Sequence, residues 1–546
     1  MRIPPAEEQQ DHNQPPEFAP RDLWADDALL REAVAREGGS AFAGRIARYG
    51  ALAGNELLAL SFDAHRDRPR LRTHDRFGER IDRVEFHPNH HAIMDAAIRH
   101  GVAGLSWADP QPGAHVARAA LSYLHYQVEP GSSCPLTMTH AAVPVLRRES
   151  VLADWALKAA SANYDASEVP IADKSGVTIG MGMTERQGGS DVRANRTAAA
   201  PLSTEGEYSL TGHKWFFSAP MSDGFLVLAQ APAGLSCFLM PRVLPDGRRN
   251  AFRLMRLKDK LGDWSNASSE VEFDGAWAQR VGDEGRGVAT ILEMVMLTRL
   301  DCMLGSAGLM RMALAQAVHH CRNRRAFGRN LIDQPLMRNV LADMAIEAEA
   351  ALALSMRVAR AVDAAPHDPQ EAAFARIATA IGKYWICKRA PAFVNEAQEC
   401  IGGSGYIEES IMPRLYRQAP LNSIWEGSGN IQCLDVLRAL TREPASSTAL
   451  MEELRPGGHG CGDYDAAVAA LSAALDDPGS IGEAGARHLV ERLALTLQAS
   501  VLLRSGSAAA EPFVRSRLGG AHGMALGTLP IDMPLHALVE RVLPAA

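Results

Sequence analysis

The chain has no C-x-x-C pair: its eight cysteines, Cys134, Cys237, Cys302, Cys321, Cys387, Cys400, Cys433 and Cys461, are scattered. That scatter argues against the close ligand spacing of zinc sites and small disulfide frameworks, so no metal is expected and the thiols read as reduced packing residues. There is no run of about 18 apolar residues to span a bilayer. The N-terminus, MRIPPAEEQQDHNQPPEFAP, has neither a basic n-region nor an apolar h-region, so cytoplasmic residence without a membrane is the expectation. Positive charge is also short. A formal net charge of −8 argues against a general polyanion binder, because phosphate-backbone affinity comes from Lys and Arg; a local basic patch stays open.

What is present is ordinary globular composition, 47% hydrophobic and 22% charged over 546 residues, enough chain for three or four domains. After a leader that reads as mobile, residues 24–170 alternate helical apolar patterns with Gly and Pro breaks, as in DALLREAVAREGG and HVARAALSYLHYQV. From about 176 to 282 the texture becomes short β-favouring runs (YSLTG, KWFFSA, FLVLAQA, SCFLMPR) between Gly, Pro, Asp and Asn, the pattern of a meander or small barrel. Helical periodicity returns at Gly285 in three long stretches, and a fourth begins near Asn430 and ends by about Thr441. This predicts an up-and-down bundle. EPASST and RPGGHGCGD read as linker, and Tyr464 to Ala546 as an Ala/Leu-rich helical extension broken at DDPGS and GG. The expected domains are 1–175 (helical), 176–282 (β), 283–441 (helical bundle) and 442–546 (helical extension).

Four segments carry chemistry. In MGMTERQGGSDVRAN (181–195), Gly188 and Gly189 let the backbone approach a ligand, and Thr184, Ser190 and free N–H groups could form a nest; a Gly-Gly-Ser run is also simply a turn. In LTGHKWFFSAPMSD (210–223), Trp215 or Phe216 could lie beside a planar ring and Ser218 could donate to a ring nitrogen; a half-buried strand with core aromatics reads the same way. CRNRRAFGRN (321–330), with Gln334 beyond, sets a guanidinium before an aromatic at a helix end, suited to a pyrophosphate beside an adenine or to the helix's own dipole. ECIGGSGY (399–406) precedes WEGSGN, where Glu426 sits between Trp425 and Gly427-Ser428-Gly429. Its carboxylate is either an ordinary helix-start residue or a general base beside an aromatic wall, where partial burial raises a carboxyl's pKa.

Taken in order, MTERQGGSD, GHKWFFS, KLGDWSNASSEVEF, GDEGRGV, RRAFG with Gln334, IGGSGY and WEGS resemble the acyl-CoA dehydrogenase family over about residues 90–440. VEFHPNHHAIM, TGHKWFFSAPMSD, TRLDCMLGSAGLMR and RQAPLNSIWEGSGN resemble more closely its AidB subgroup, flavoproteins linked to the DNA-alkylation response, and extend the match over nearly the whole chain. The resemblance implies a mainly α fold: an N-terminal helical domain, a β-barrel-like middle, a C-terminal four-helix bundle and a helical extension. It implies FAD as cofactor, with Met183, Thr184, Gly189, Ser190, Phe216, Phe217 and Ser218 at the flavin. Arg324, Phe327, Gln334, Gly402 and Gly403 would hold the adenosine-diphosphate end of a neighbouring subunit's FAD, with Ser428 and Asn430 near the cofactor. A shared cofactor implies a symmetric oligomer, the family's homotetramer.

By the same resemblance Glu426 is the base that removes the α-proton of an acyl-CoA thioester, Trp425 and Arg299 line the substrate pocket, and electrons leave to an acceptor such as an electron-transfer flavoprotein. The enolate-like charge needs an oxyanion hole, which the family builds from the base's backbone N–H and an FAD ribityl hydroxyl. Three departures stand out: Trp425 replaces the usual Tyr, Glu399 a frequent Gln, and RQAP the usual RDAK. A bulkier Trp narrows the acyl pocket. The rival function is duplex-DNA binding through the extension, with Arg442, Arg504, Arg515 and Arg517, and also Arg541, as contacts. Local charge opposes it: residues 441–546 hold eight Arg and no Lys against twelve Asp plus Glu, and 8 − 12 gives −4. A third reading makes the extension a clamp between subunits.

Overall fold

Asp368 accepts from the N–H groups of Gln370 and Glu371 at 2.9 and 3.3 Å, and Pro369 fills the first turn of a helix that runs to Ile401. An N-cap carboxylate with proline behind it is a strong start signal, and Gly402 at φ +73° ends the helix where a side chain would be strained. Proline likewise fills the first turn of the helix Pro335–Ala364, and the helices Gly287–Asn323 and Gly429–Arg442 complete the set. The four long helical stretches read from the sequence are therefore present.

The computed structural model describes residues 13–455 and 461–544. It divides into two compact units, one Glu56–Asp301 and the other Met1–Asn55 with Cys302–Ala546, the division falling inside the helix Gly287–Asn323. Residues 456–460, the centre of the RPGGHGCGD linker, and the first twelve residues of the leader lie outside the described residues. Among the described residues no helix is long and apolar enough to cross a membrane. The eight cysteines are free, and all but Cys461 are buried.

The unit Glu56–Asp301 holds the large sheet. Its sheet contains β3 (Ile179–Gly182), β4 (Ala198–Pro201), β5 (Glu207–Ser218), β6 (Gly224–Ala231), β7 (Gly234–Pro241), β8 (Phe252–Leu257) and β9 (Ser268–Val281). Pairings β6–β4, β4–β5, β5–β9, β9–β7 and β7–β6 return to their starting strand, so the sheet closes into a barrel. Parallel pairing of β6 with β3 and β4 rules out a simple meander. Phe217, Phe225, Phe238, Phe252, Val271 and Phe273 fill the interior.

Four expectations need correction. The N-terminal helical region contains a hairpin, β1 (Arg70–His74) with β2 (Arg80–Glu85), whose largely exposed, charge-rich strands carry little apolar periodicity. The leader is held from Asn13 onward: Asn13 Nδ2 donates to Arg325 O at 2.8 Å, and His319 Nε2 lies 2.8 Å from Pro16 O. EPASST is not linker but the start of a helix, Pro444–Glu453, with proline at its first turn and Ser446 buried. The GG break marks a longer irregular stretch. Helices Gly462–Leu475 and Gly482–Arg504 precede it, and among the described residues only Leu535–Glu540 forms an α-helix after it.

Candidate active site

In the barrel unit, the turn after β3 is tied shut by reciprocal bonds between Glu185 and Gly188, N to O at 3.3 and 3.0 Å. Gly188 sits at φ +145°, and a Cβ on Gly189 would meet Thr184 Oγ1 at 2.6 Å, so the turn depends on both glycines. Thr184 O accepts from Trp215 N–H at 2.8 Å, which fastens the turn to β5. Met183 and Thr184 are half-buried, and Ser190 is exposed.

One extra residue decides which aromatic faces outward. The β5–β9 register passes from Lys214↔Val271 to Phe217↔Ser269, so β5 gains a residue over that interval. Such a bulge reverses the alternation of side chains. Phe217 is therefore 0% exposed in the barrel core, 4.3 Å from the Phe225 ring centroid, which corrects its assignment to the flavin. Phe216 is 51% exposed, and Ser218 lies two residues on along the same strand, its Oγ 3.1 Å from Ser268 Oγ. Lys258 Nζ stands 3.6 Å from the Trp215 ring centroid and 4.6 Å from that of Phe216.

Sequence reasoning missed the pair that anchors this region. Glu185 is fully buried and accepts from Lys214 Nζ at 2.9 Å, Thr197 Oγ1 at 2.6 Å and Arg196 N–H at 2.7 Å. Burial pushes its pKa up, but these donors and the Lys214 charge outweigh burial and hold the carboxyl at about 2. Both residues stand inside quoted motifs, yet a charge inside a barrel strand was readable only from the strand's alternation. Lys214→Met leaves the carboxylate buried and unpaired, so the expected cost is about 3–5 kcal/mol by denaturant titration. With a depressed folded pKa, Glu185 stabilises fully above the ordinary glutamate value of 4.5 and loses that contribution as pH falls toward 2. The variant should lose the share of this acid sensitivity that Lys214 supplies, while Arg196 N–H and Thr197 continue to donate.

In the second unit, Glu426 adopts φ +58°, a left-handed conformation that costs an L-residue about 1–2 kcal/mol. Hydrogen bonds hold it there. Lys383 Nζ, buried on the helix Pro369–Ile401, donates to Trp425 O at 2.7 Å and to Gly427 O. Gln432 Nε2 donates to Glu426 O at 3.0 Å and Gly427 O at 2.9 Å. Half-buried Trp425 donates from Nε1 to Asn422 Oδ1 at 3.0 Å, and Asn422 in turn reaches Ser306 Oγ at 3.3 Å. Ser428 caps the helix Gly429–Arg442 by position without a side-chain bond, and Asn430 Oδ1 accepts from Arg487 of the extension at 2.8 Å.

The RRAFG segment is a two-residue hairpin turn between Arg325–Ala326 and Arg329–Asn330. Phe327 at φ +51° and Gly328 at φ +81° occupy its corners, and the Phe327 ring is 95% exposed. An exposed aromatic in a strained position points to a ligand or partner. Gln334 Nε2 braces the turn through Ala326 O at 2.9 Å, Arg324 reaches Asn13 O, and Gly402 and Gly403 face open space. Glu399 is exposed and accepts from Asn395 at 3.1 Å. Arg299, expected at a substrate pocket, is buried beside Met296 Sδ at 4.0 Å.

Three comparisons with known proteins bear on these motifs. Residues 13–166 match the family description "Adaptive response protein AidB N-terminal domain", 180–276 "Acyl-CoA dehydrogenase, middle domain", and 285–441 "Acyl-CoA dehydrogenase, C-terminal domain". The acyl-CoA dehydrogenase homologue AidB of Escherichia coli (strain K12) is 50% identical over 444 residues, covering 81% of this chain and 82% of the relative. The chain belongs to the acyl-CoA dehydrogenase family. Acyl-CoA dehydrogenase family member 11 of Caenorhabditis elegans is 31% identical over 430 residues, 76% of this chain and 69% of the relative. The crystal structure of C. elegans ACDH-11 in complex with C11-CoA superposes with a TM-score of 0.83 at 25% identity, covering 97% of this chain and 93% of that one.

Members of the acyl-CoA dehydrogenase family are FAD-dependent oxidoreductases, and the residues here fit a flavin. In the barrel unit, a glycine turn too tight for a Cβ and an exposed Phe216 near a hydroxyl suit a large planar cofactor.

Proposed function

We propose that this chain removes hydrogen across the α,β bond of an acyl-CoA thioester, with Glu426 as the base that takes the α-proton. One observation carries the assignment: Glu426 is held at φ +58° by hydrogen bonds to its own carbonyl and to those on either side, immediately before a helix N-terminus. Bound FAD supplies the hydride acceptor. The residues that would hold it are Met183, Thr184, Gly189, Ser190, Phe216 and Ser218 toward the ring, with Ser428 and Asn430 nearby. Arg324, Phe327, Gln334, Gly402 and Gly403 would hold the adenosine-diphosphate end of a neighbouring subunit's FAD in a homotetramer. The exposed Phe327 and Tyr406 support that last reading, because they are apolar surface a subunit contact would cover. Trp425, fixed by its bond to Asn422, walls the acyl side. Electrons then pass to an acceptor such as an electron-transfer flavoprotein in the cytoplasm.

The test is anaerobic bleaching of the bound flavin by acyl-CoA thioesters of graded chain length. Reduction by at least one supports the reading, and a yellow protein that none of them bleaches overturns it.

Duplex DNA has weaker support. Of its five expected contacts, Arg517 is corrected outright: its side chain is 7% exposed and bonded to Asp343 and Glu347. Arg504 is bonded to Glu453, Arg515 to Asp532 and Arg541 to Glu32 and Glu349, leaving Arg442 exposed on the last turn of its helix. The extension packs on bundle helices of its own chain through Arg487–Asn430 and Arg517–Asp343. Any DNA binding is therefore expected to be weak, without base preference, and to fall steeply with salt. Fluorescence anisotropy at two salt concentrations checks this, and tight or salt-independent binding would contradict it.

A further inference from the structure

A lysine buried on a helix needs a reason, because an ammonium removed from water is costly and a Met or Leu of similar length would fill the same space. Lys383 lies in the middle of the helix Pro369–Ile401 and is among the most fully buried side chains of the protein. Its Nζ donates to Trp425 O at 2.7 Å and to Gly427 O. These carbonyls belong to the residues before and after Glu426. Drawing both onto one ammonium curls the chain around Glu426, as its φ of +58° requires. From the other side Gln432, itself fully buried, donates one amide nitrogen to Glu426 O and Gly427 O. All three carbonyls from 425 to 427 are thus fixed, and none of these bonds uses the Glu426 carboxylate. The turn also lies directly on the lysine's helix, since a Cβ on Gly429 would stand 3.4 Å from Tyr384 and Lys388.

We propose that Lys383 is a positioning residue for the reaction, the ammonium that sets the direction of the Glu426 carboxylate by pinning the carbonyls on either side of it. Gln432 completes the clamp. The inference rests on Glu426 being the base. A clamp of this kind governs orientation, not substrate affinity, and a displacement of about 1 Å at a reacting group costs about 10²-fold in rate. Its loss therefore lowers the rate at saturating substrate and leaves KM in place, the mark of an interaction that matters in the transition state. A lysine that merely filled the core would instead alter melting and FAD retention while leaving that rate alone.

The experiment compares wild type, Lys383→Met, Gln432→Met and Glu426→Gln as purified FAD-loaded proteins. Octanoyl-CoA, or whichever thioester of the graded series bleaches the wild type fastest, is the probe. Flavin bleaching is followed by stopped flow, and exchange of the thioester α-hydrogen with solvent deuterium by NMR. The expected result is a fall of about 10²-fold in both rates for Lys383→Met, with KM unchanged. Gln432→Met should show the same split, and it carries the test alone if Lys383→Met fails to fold or to keep FAD. Lys383→Met, or Gln432→Met in its place, bleaching at the wild-type rate while Glu426→Gln is inactive overturns the clamp and spares the base. Glu426→Gln active at the wild-type rate overturns the base, and the clamp with it.

Discussion

Glu426→Gln is expected to slow bleaching of the flavin by an acyl thioester by about 10²–10⁴-fold, the range a positioned general base contributes, while FAD stays bound. The amide is nearly isosteric with the carboxylate but does not accept a proton at neutral pH. The bonds from Lys383 and Gln432 to the turn are not made to the altered side chain. Lys383 and Gln432 bond to backbone carbonyls, so φ at residue 426 and the bond from Trp425 to Asn422 persist in the variant. The missing rate is then chargeable to proton removal and not to a collapsed loop. Stopped-flow absorbance with the visible flavin spectrum as loading control is the measurement, and bleaching at the wild-type rate would remove Glu426 from its role.

Trp425 is the departure that bears most on substrate choice. Its indole N–H is engaged by Asn422 Oδ1 at 3.0 Å, and Asn422 reaches Ser306 Oγ at 3.3 Å, so the ring is held in one orientation beside Glu426. A tyrosine there would carry its polar atom at the ring tip, where it could not reproduce an indole N–H bond to the residue three before it. If Trp425 walls the acyl side as proposed, the narrowing expected from its size is reinforced by a hydrogen bond that the sequence did not disclose.

Much of the fold was legible because helix ends announce themselves chemically. Asp368-Pro369 and Gly402 bracket one bundle helix, and Gln334-Pro335 starts another, as the periodicity required. The failures have physical causes. The hairpin Arg70–Glu85 has few apolar residues, so alternation had little to register. Phe216 and Phe217 were both assigned to the flavin because a one-residue bulge, invisible in the order of residues, decides which of them faces the core. Lys383 and Arg517 were overlooked or misplaced for one reason: a charged residue in a helical pattern reads as solvated face. Its burial depends on a partner distant in sequence, 42 residues on for Trp425 and 174 back for Asp343.

Arg517→Met is expected to destabilise the protein by about 3–5 kcal/mol, the cost of breaking a buried ion pair by removing one partner. Arg517 Nη2 donates to Asp343 Oδ1 at 2.5 Å and to Glu347 Oε2 at 3.2 Å, and both carboxylates are buried. His522 Nε2 adds a contact to Asp343 at 3.0 Å, and Arg389 bonds to Glu347. The extension is thereby bolted onto the helix Pro335–Ala364. Burial pushes the pKa of each acid up, but the hydrogen bonds and positive charge outweigh it, and both stand below their ordinary values. A depressed folded pKa stabilises above the unfolded carboxylate value near 4 and is lost as pH falls through the folded one. Arg517→Met should therefore lower stability most at neutral pH and flatten its dependence on acid, as followed by urea titration at several pH values. Arg515 is the control two residues away. Its pairing with Asp532 is at the surface, so Arg515→Ala should leave the midpoint almost unchanged. Equal loss in the two variants would mean that the internal network around Asp343 does not anchor the extension. A large loss confined to Arg517 would explain why an arginine that looks available to a phosphate backbone in the sequence is spent inside the fold.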